Sequence, residues 1–206
     1  GNRAGTFSHA AGFSMNPMKI LHAYGEAGVV TTNNKNVCDK IRQLRHAGTS
    51  RDLDRNNHIN RCSYIALNHK IDTIQASFLI EEIDRIDETK IRRDLIAELY
   101  DDELEKLNCS IQETSENEIH GRYYYIFRCN KRNELSKFLR SKGIENKIWY
   151  SPLTCDAAVY RNGTNNLNVP IARRLLKQSI SIPLHENMTM EQAEYVVEQI
   201  RHFFIK

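Results

Sequence analysis

The residues best placed to do chemistry lie together in "GFSMNPMKILHAYGEAGVVTT", residues 12–32. Lys19 stands there among Phe13, Met15, Pro17, Met18, Ile20 and Leu21. A lysine amine is a nucleophile only when neutral, and apolar surroundings or nearby positive charge favour the neutral form, which can condense with a carbonyl to a Schiff base. Ser14 offers a hydroxyl and a backbone N–H to a phosphate, and Gly25 and Gly28 let a backbone come close. An amine and a phosphate-binding serine on one loop suit pyridoxal 5′-phosphate (PLP), whose aldehyde and phosphate lie at opposite ends of one ring. The same residues also suit a lysine whose stem covers the edge of a core while its ammonium reaches water. Spacing alone leaves both readings open.

The elements that must position this loop follow from periodicity. "EAGVVTTNN" predicts a short buried strand ending in an Asn turn, and "KNVCDKIRQLRHAG" a helix with Val37, Ile41 and Leu44 on one face and Gly48 as its stop. Thr49 to Cys62 is polar and without a period, hence a loop. "IDTIQASFLIEEIDRI" sets Ile71, Ile74, Phe78, Ile83 and Ile86 at helical spacing, and the pattern resumes through "KIRRDLIAELYDDELEKL" after a bend near Asp87. Beyond it "YYYIFRC" predicts a strand, "RNELSKFLRSKG" a helix ended by Gly143, and "IENKIWY" a further strand. A capping box from Thr189 to Gln192 opens a last helix with Ala193, Val196, Val197, Ile200 and Phe203 on one face. The second part therefore reads as a small sheet covered by helices.

Composition narrows the function classes. A chain of 206 residues can bury a sizeable core, and its net charge of +3, with both signs well mixed, gives no strong field for nucleic acid or an anionic membrane. No stretch reaches the roughly 20 apolar residues of a membrane-spanning helix. Cys38, Cys62, Cys109, Cys129 and Cys155 are widely spaced with no C-x-x-C pair, which favours reduced thiols in a cytoplasmic protein. His58 and Cys62 stand four apart, but two ligands do not make a metal site, so no metal is expected.

The lysine segment resembles that of the DegT/StrS family of sugar aminotransferases, with its F-S-x-x-P-x-K pattern followed by a glycine-rich turn and a valine-rich strand. Further segments match in order: "IRQLRHAG", "ALNHKIDTIQAS", "GIENKIWYSPL" and "SISIPLHENMTMEQAEYVVEQI". The similarity runs along the whole chain. It implies an α/β PLP-dependent transferase of fold type I. Residues 1–50 would be the end of the large PLP-binding domain, 51–107 a loop and long helical connection, and 108–206 the small α+β domain. Lys19 would be the Schiff-base lysine and proton shuttle, Ser14 a phosphate ligand, and Asn68 a ligand to the phosphate of the neighbouring subunit's cofactor in a homodimer with shared active sites. From its position alone Asn68 could equally cap the helix ahead of Ile71. The implied reaction moves an amino group, from glutamate, onto a nucleotide-linked keto sugar in amino-sugar or surface polysaccharide synthesis.

The chain also departs from the family. Leu67 and Lys70 stand where Tyr and Arg are expected around Asn68, and Trp149-Tyr150-Ser151-Pro152-Leu153-Thr154 replaces a segment that carries two histidines near the sugar nucleotide. Trp149 could stack on a sugar or base face, although a lone Trp on a strand is more often core. Residues 1–18 hold no Asp or Glu, whereas the family's pyridine-nitrogen carboxylate lies upstream of the lysine. The resemblance is thus to the C-terminal part of such an enzyme, cut within the large domain: a fragment, or half of a protein encoded in two pieces. The rival reading is a noncatalytic interaction module. A PLP-using dehydratase is disfavoured, because those relatives lack the lysine.

Overall fold

A computed structural model describes residues 2–49, 62–160 and 167–205. Most of the loop expected between Thr49 and Cys62, with His58, lies outside the described residues. The chain divides into two compact units, Gly1–Asp87 and Glu88–Lys206.

In the first unit, β1 (Ala11–Ser14) pairs antiparallel with β2 (Gly28–Thr31), from Ala11 opposite Thr31 to Ser14 opposite Gly28. β-Branched Val29, Val30 and Thr31 suit the pleat. The strand expected to be buried is nevertheless exposed, Val29 at 43% and Val30 at 51%. The reason is that β1 and β2 form a two-stranded ribbon joined by no further strand among the described residues. The helix α1 (Lys35–Arg45) follows, its free N-terminal amides met by Asn34 Oδ1, which accepts from Asn36 N–H at 2.9 Å and Val37 N–H at 3.3 Å. Gly48 ends it with φ +74°, its N–H donating to Gln43 O at 2.9 Å. The helix α2 (Thr73–Asp84) stops at Arg85, two residues before the expected bend, and α3 (Ile86–Lys106) begins at once.

The second unit is built on β3 (Tyr125–Arg128), paired antiparallel with β4 (Ser179–Ile182), Tyr125 opposite Ile182 and Arg128 opposite Ser179. Alternation turns Tyr125 and Phe127 inward, against Ile96, Ala97, Tyr100 and Leu104 of α3. The helix α4 (Arg132–Ser141) adds Leu135 and Leu139, and α6 (Met190–Ile205) adds Ala193, Val196, Val197 and Ile200. Each such large side chain contributes about 1.5–3 kcal/mol on burial, so this core carries the unit. The helix α5 (Pro170–Gln178), with Pro170 in its first turn, leads directly into β4. The capping box is formed as the sequence predicts: Gln192 N–H donates to Thr189 Oγ1 at 3.2 Å, and Thr189 N–H to Gln192 Oε1 at 2.9 Å.

The strand expected at "IENKIWY" is not formed. Only Lys147 pairs, exchanging both backbone bonds with Ser181 at 3.0 and 2.8 Å. On one side of that rung the Asn146 side chain is tied to Ser136 O at 3.1 Å and Ile144 O at 3.3 Å. On the other, Tyr150 takes a left-handed φ of +58° and the Ser151–Pro152 bond is cis. The left-handed turn at Tyr150 departs from the extended backbone that a longer ladder needs.

Two ion pairs, each with one buried partner, complete the unit. Arg93, 7% exposed, donates to Leu184 O at 3.1 Å and to Glu186 Oε2 at 2.8 Å. Glu103 on α3 receives both arms of the Arg201 guanidinium at 2.6 and 2.7 Å, and these bonds hold its carboxyl below the usual carboxylate range.

Candidate active site

The lysine loop is the connection between β1 and β2. It is drawn shut at its base, where Met15 N–H donates to Ala27 O at 2.9 Å and Ala23 N–H returns to Met15 O at 2.8 Å. Inside that closure the chain turns at Asn16: its side chain accepts from Met18 N–H at 3.1 Å and its carbonyl from Lys19 N–H at 3.0 Å. Lys19, half-buried, thus sits on a tight turn whose two ends are fixed by the ribbon. Ser14, exposed, is the last residue of β1, at the point where the loop leaves. Opposite it stands Gly28, where a Cβ would lie 3.0 Å from Phe13 O, a tight contact that glycine avoids beside Ser14.

The loop is also held against α2. The Tyr24 ring meets Phe78 edge to face, 4.7 Å between centroids. One turn away a Cβ on Gly25 would come within 3.1 Å of Gln75 Nε2, and Gln75 Oε1 is buried without a hydrogen-bond partner among the described residues. Gln75 was visible in the sequence only as a member of "ALNHKIDTIQAS"; its packing on Gly25 depends on a fifty-residue separation that no local pattern reports.

Asn68 is exposed and lies on a single antiparallel rung with His46, flanked by Ala47 N–H to Leu67 O at 3.2 Å and His69 N–H to Arg45 O at 2.9 Å. It does not cap α2; that place belongs to Asp72, whose side chain makes no capping bond. Near Asn68, Lys70 Nζ stands 3.4 Å from His46 Nε2, and the hydroxyl of Thr49 lies 3.1 Å from His46 Nδ1. The lysine that replaces the expected arginine is thus steered by the helix-end histidine.

Trp149 belongs to the second unit. It stacks on Tyr124, 4.2 Å between centroids at 27°, under Lys147 Nζ at 3.9 Å from the ring centre. Together with His185, Gln192 and Tyr195 these side chains line an open cleft of about 850 Å³. Trp149 is half-buried and fills neither the core nor a strand position.

A hydroxyl where the loop leaves β1 and an amine five residues on, within the loop, are the kinds of group that a phosphate and an aldehyde require, and Gly28 leaves no side chain opposite Ser14. Comparisons with known proteins bear on the same segments. A pleiotropic regulatory protein of Geobacillus stearothermophilus is 30% identical over 209 residues, 99% of this chain and 54% of that one. A dTDP-3-amino-3,4,6-trideoxy-alpha-D-glucose transaminase of Micromonospora megalomicea is 29% identical over 207 residues, with 98% and 54% covered. In structure, NtdA from Bacillus subtilis, solved with bound cofactor PMP, superposes with a TM-score of 0.89 at 20% identity, over 98% of this chain and 47% of that one, a likeness of fold alone. The chain spans about half the length of the curated relatives it matches. Its fold is that of PLP-dependent sugar aminotransferases. The model of the DegT/DnrJ/EryC1/StrS aminotransferase family matches residues 1–201, and the chain belongs to that family.

Proposed function

We propose that the chain is the lysine-bearing part of a PLP-dependent aminotransferase that moves an amino group from glutamate to a nucleotide-linked keto sugar. One observation carries the reading: Lys19 lies on the closed loop that leaves β1 directly after Ser14, fixed by the β1–β2 ribbon, in a chain that belongs to this family. Bound PLP would supply an electron sink for the substrate's α-bond chemistry. Lys19 would anchor the aldehyde end and then carry a proton to and from the substrate's amine-bearing carbon. Ser14 would hold the phosphate through its hydroxyl, so that the ring is fixed at both ends. Asn68 would reach the phosphate of the neighbouring subunit's cofactor, which makes the working form a homodimer with shared sites. The transaminase name of the Micromonospora relative supports the nucleotide-sugar substrate class. The helical connection 51–107 would separate the end of the large domain from the small domain 108–206, and the division at Asp87 falls inside that connection. We place the enzyme in the cytoplasm, where nucleotide sugars are made.

The test is amino transfer by the protein that carries this chain, with glutamate as donor and a nucleotide-linked keto sugar as acceptor. Formation of 2-oxoglutarate and an amino sugar, both abolished in Lys19→Ala, is the expected result. Undiminished transfer by Lys19→Ala would refute the assignment.

A further inference from the structure

The end of α3 and the end of β3 bring two cysteines face to face. Ser110 and Arg128 exchange both backbone hydrogen bonds, Ser110 N–H to Arg128 O at 3.0 Å and Arg128 N–H to Ser110 O at 2.9 Å. In an antiparallel ladder the residues next to such a pair oppose each other without hydrogen bonds. Those residues are Cys109 and Cys129, and the Cys129 N–H accordingly turns the other way, to Gln178 O at 3.0 Å. Non-hydrogen-bonded partners have Cα atoms about 4.5 Å apart, inside the roughly 4.4–6.8 Å span that a disulfide bridges. Both side chains are on the core side of the ribbon: Cys129 is 8% exposed within the core, and Cys109 packs against that core.

Access differs between them. Cys109 also lines an open cleft of about 540 Å³, with Asp101, Glu105, Arg122 and Arg128 around it, so a small oxidant can reach it. Cys129 lies behind.

We propose that Cys109 and Cys129 are a modification site, a thiol pair that a disulfide oxidant such as glutathione disulfide converts into a cross-strand staple. The step is balanced as two exchanges. Cys109 sulfur attacks the oxidant, its S–H proton passing to the departing glutathione thiolate, and a mixed disulfide forms. Cys129 sulfur then attacks Cys109 sulfur, the mixed bond breaks, and its proton goes to the second glutathione. Two protein thiols are oxidised and one glutathione disulfide is reduced to two thiols.

Burial pushes the Cys109 thiol up to about 12, with Cys129 adding to the effect, and the Cys129 thiol up to about 11. Both therefore stay protonated at neutral pH, which makes the exchange slow without changing its end point. The staple answers sustained oxidising conditions and is reversed by reductant. It ties the chain leaving α3 to the chain leaving β3, beside the core that holds the second unit together. This inference is independent of the amino-transfer reading, since it needs no cofactor.

The experiment treats the 206-residue chain with glutathione disulfide, blocks the remaining thiols under denaturing conditions, and maps the peptides. The expected result is a Cys109–Cys129 cross-linked peptide, two hydrogens lighter than the sum of its parts, that disappears with dithiothreitol and is absent from Cys109→Ser and from Cys129→Ala. The thermal midpoint of the oxidised chain rises by on the order of 10 °C, and neither variant shows the rise. If exposed Cys62 becomes glutathionylated, proving the oxidant competent, while Cys109 and Cys129 are recovered as blocked free thiols, the proposal fails. The wild-type map decides the matter even if a variant folds poorly.

Discussion

Gly48 shows how much a single position carries in this chain. A Cβ there would lie 1.8 Å from Tyr64 O, and the backbone holds φ +74°. Gly48→Ala is expected to destabilise the first unit by about 2–4 kcal/mol, through crowding of a backbone carbonyl added to the left-handed dihedral. Gly48→Asn tolerates the dihedral but meets the same carbonyl, so thermal melting should find it nearly as damaging. A benign Asn variant would show that the dihedral alone matters. Glu103 makes an electrostatic case. Its folded pKa is depressed by the Arg201 bonds, so the stability it contributes is present above the ordinary carboxylate pKa and is lost as pH falls through the depressed one. Glu103→Gln should lose about 1–3 kcal/mol at neutral pH, discounted because Arg201 is half exposed. It should also flatten the acid limb of stability measured by urea unfolding; an unchanged acid limb would remove Glu103 from the account.

At the scale of elements, the sequence announced what local chemistry decides. Gly48, Gly143 and the Thr189–Gln192 box punctuate helices through bonds that span a few residues, and all three act in the structure as their positions imply. Two readings required long-range information. The β2 strand has the composition of a buried strand but stands on a two-stranded ribbon. "IENKIWY" has strand-forming residues, but it makes a single rung at Lys147 and turns away at Tyr150. The helix α5 has no expectation set against it, although Pro170 marks its first turn, and β4 falls within a segment matched to the family rather than one read as a strand. The site divides in the same way. That Lys19 and Ser14 stand five residues apart on one short segment is visible in the sequence, whereas Gln75 against Gly25, and Lys70 against His46, join elements that only the fold brings together.

For the whole molecule, the proposed sharing of sites across a homodimer has a direct consequence. Lys19→Ala and Asn68→Ala should each be impaired alone, yet a mixture refolded together should recover up to about a quarter of wild-type activity, because a mixed dimer regains one site with both residues intact. No recovery would place both residues in one chain's site. The central claim, however, is that Lys19 is the amine that engages PLP, and reductive trapping measures it most directly. The protein is incubated with PLP, reduced with borohydride, digested and mapped by mass spectrometry. The account predicts a pyridoxyl group on the peptide containing Lys19, at PLP concentrations that leave the other lysines largely unlabelled, and its loss in Lys19→Arg. Labelling spread over surface lysines, with the Lys19 peptide recovered unmodified, would contradict it.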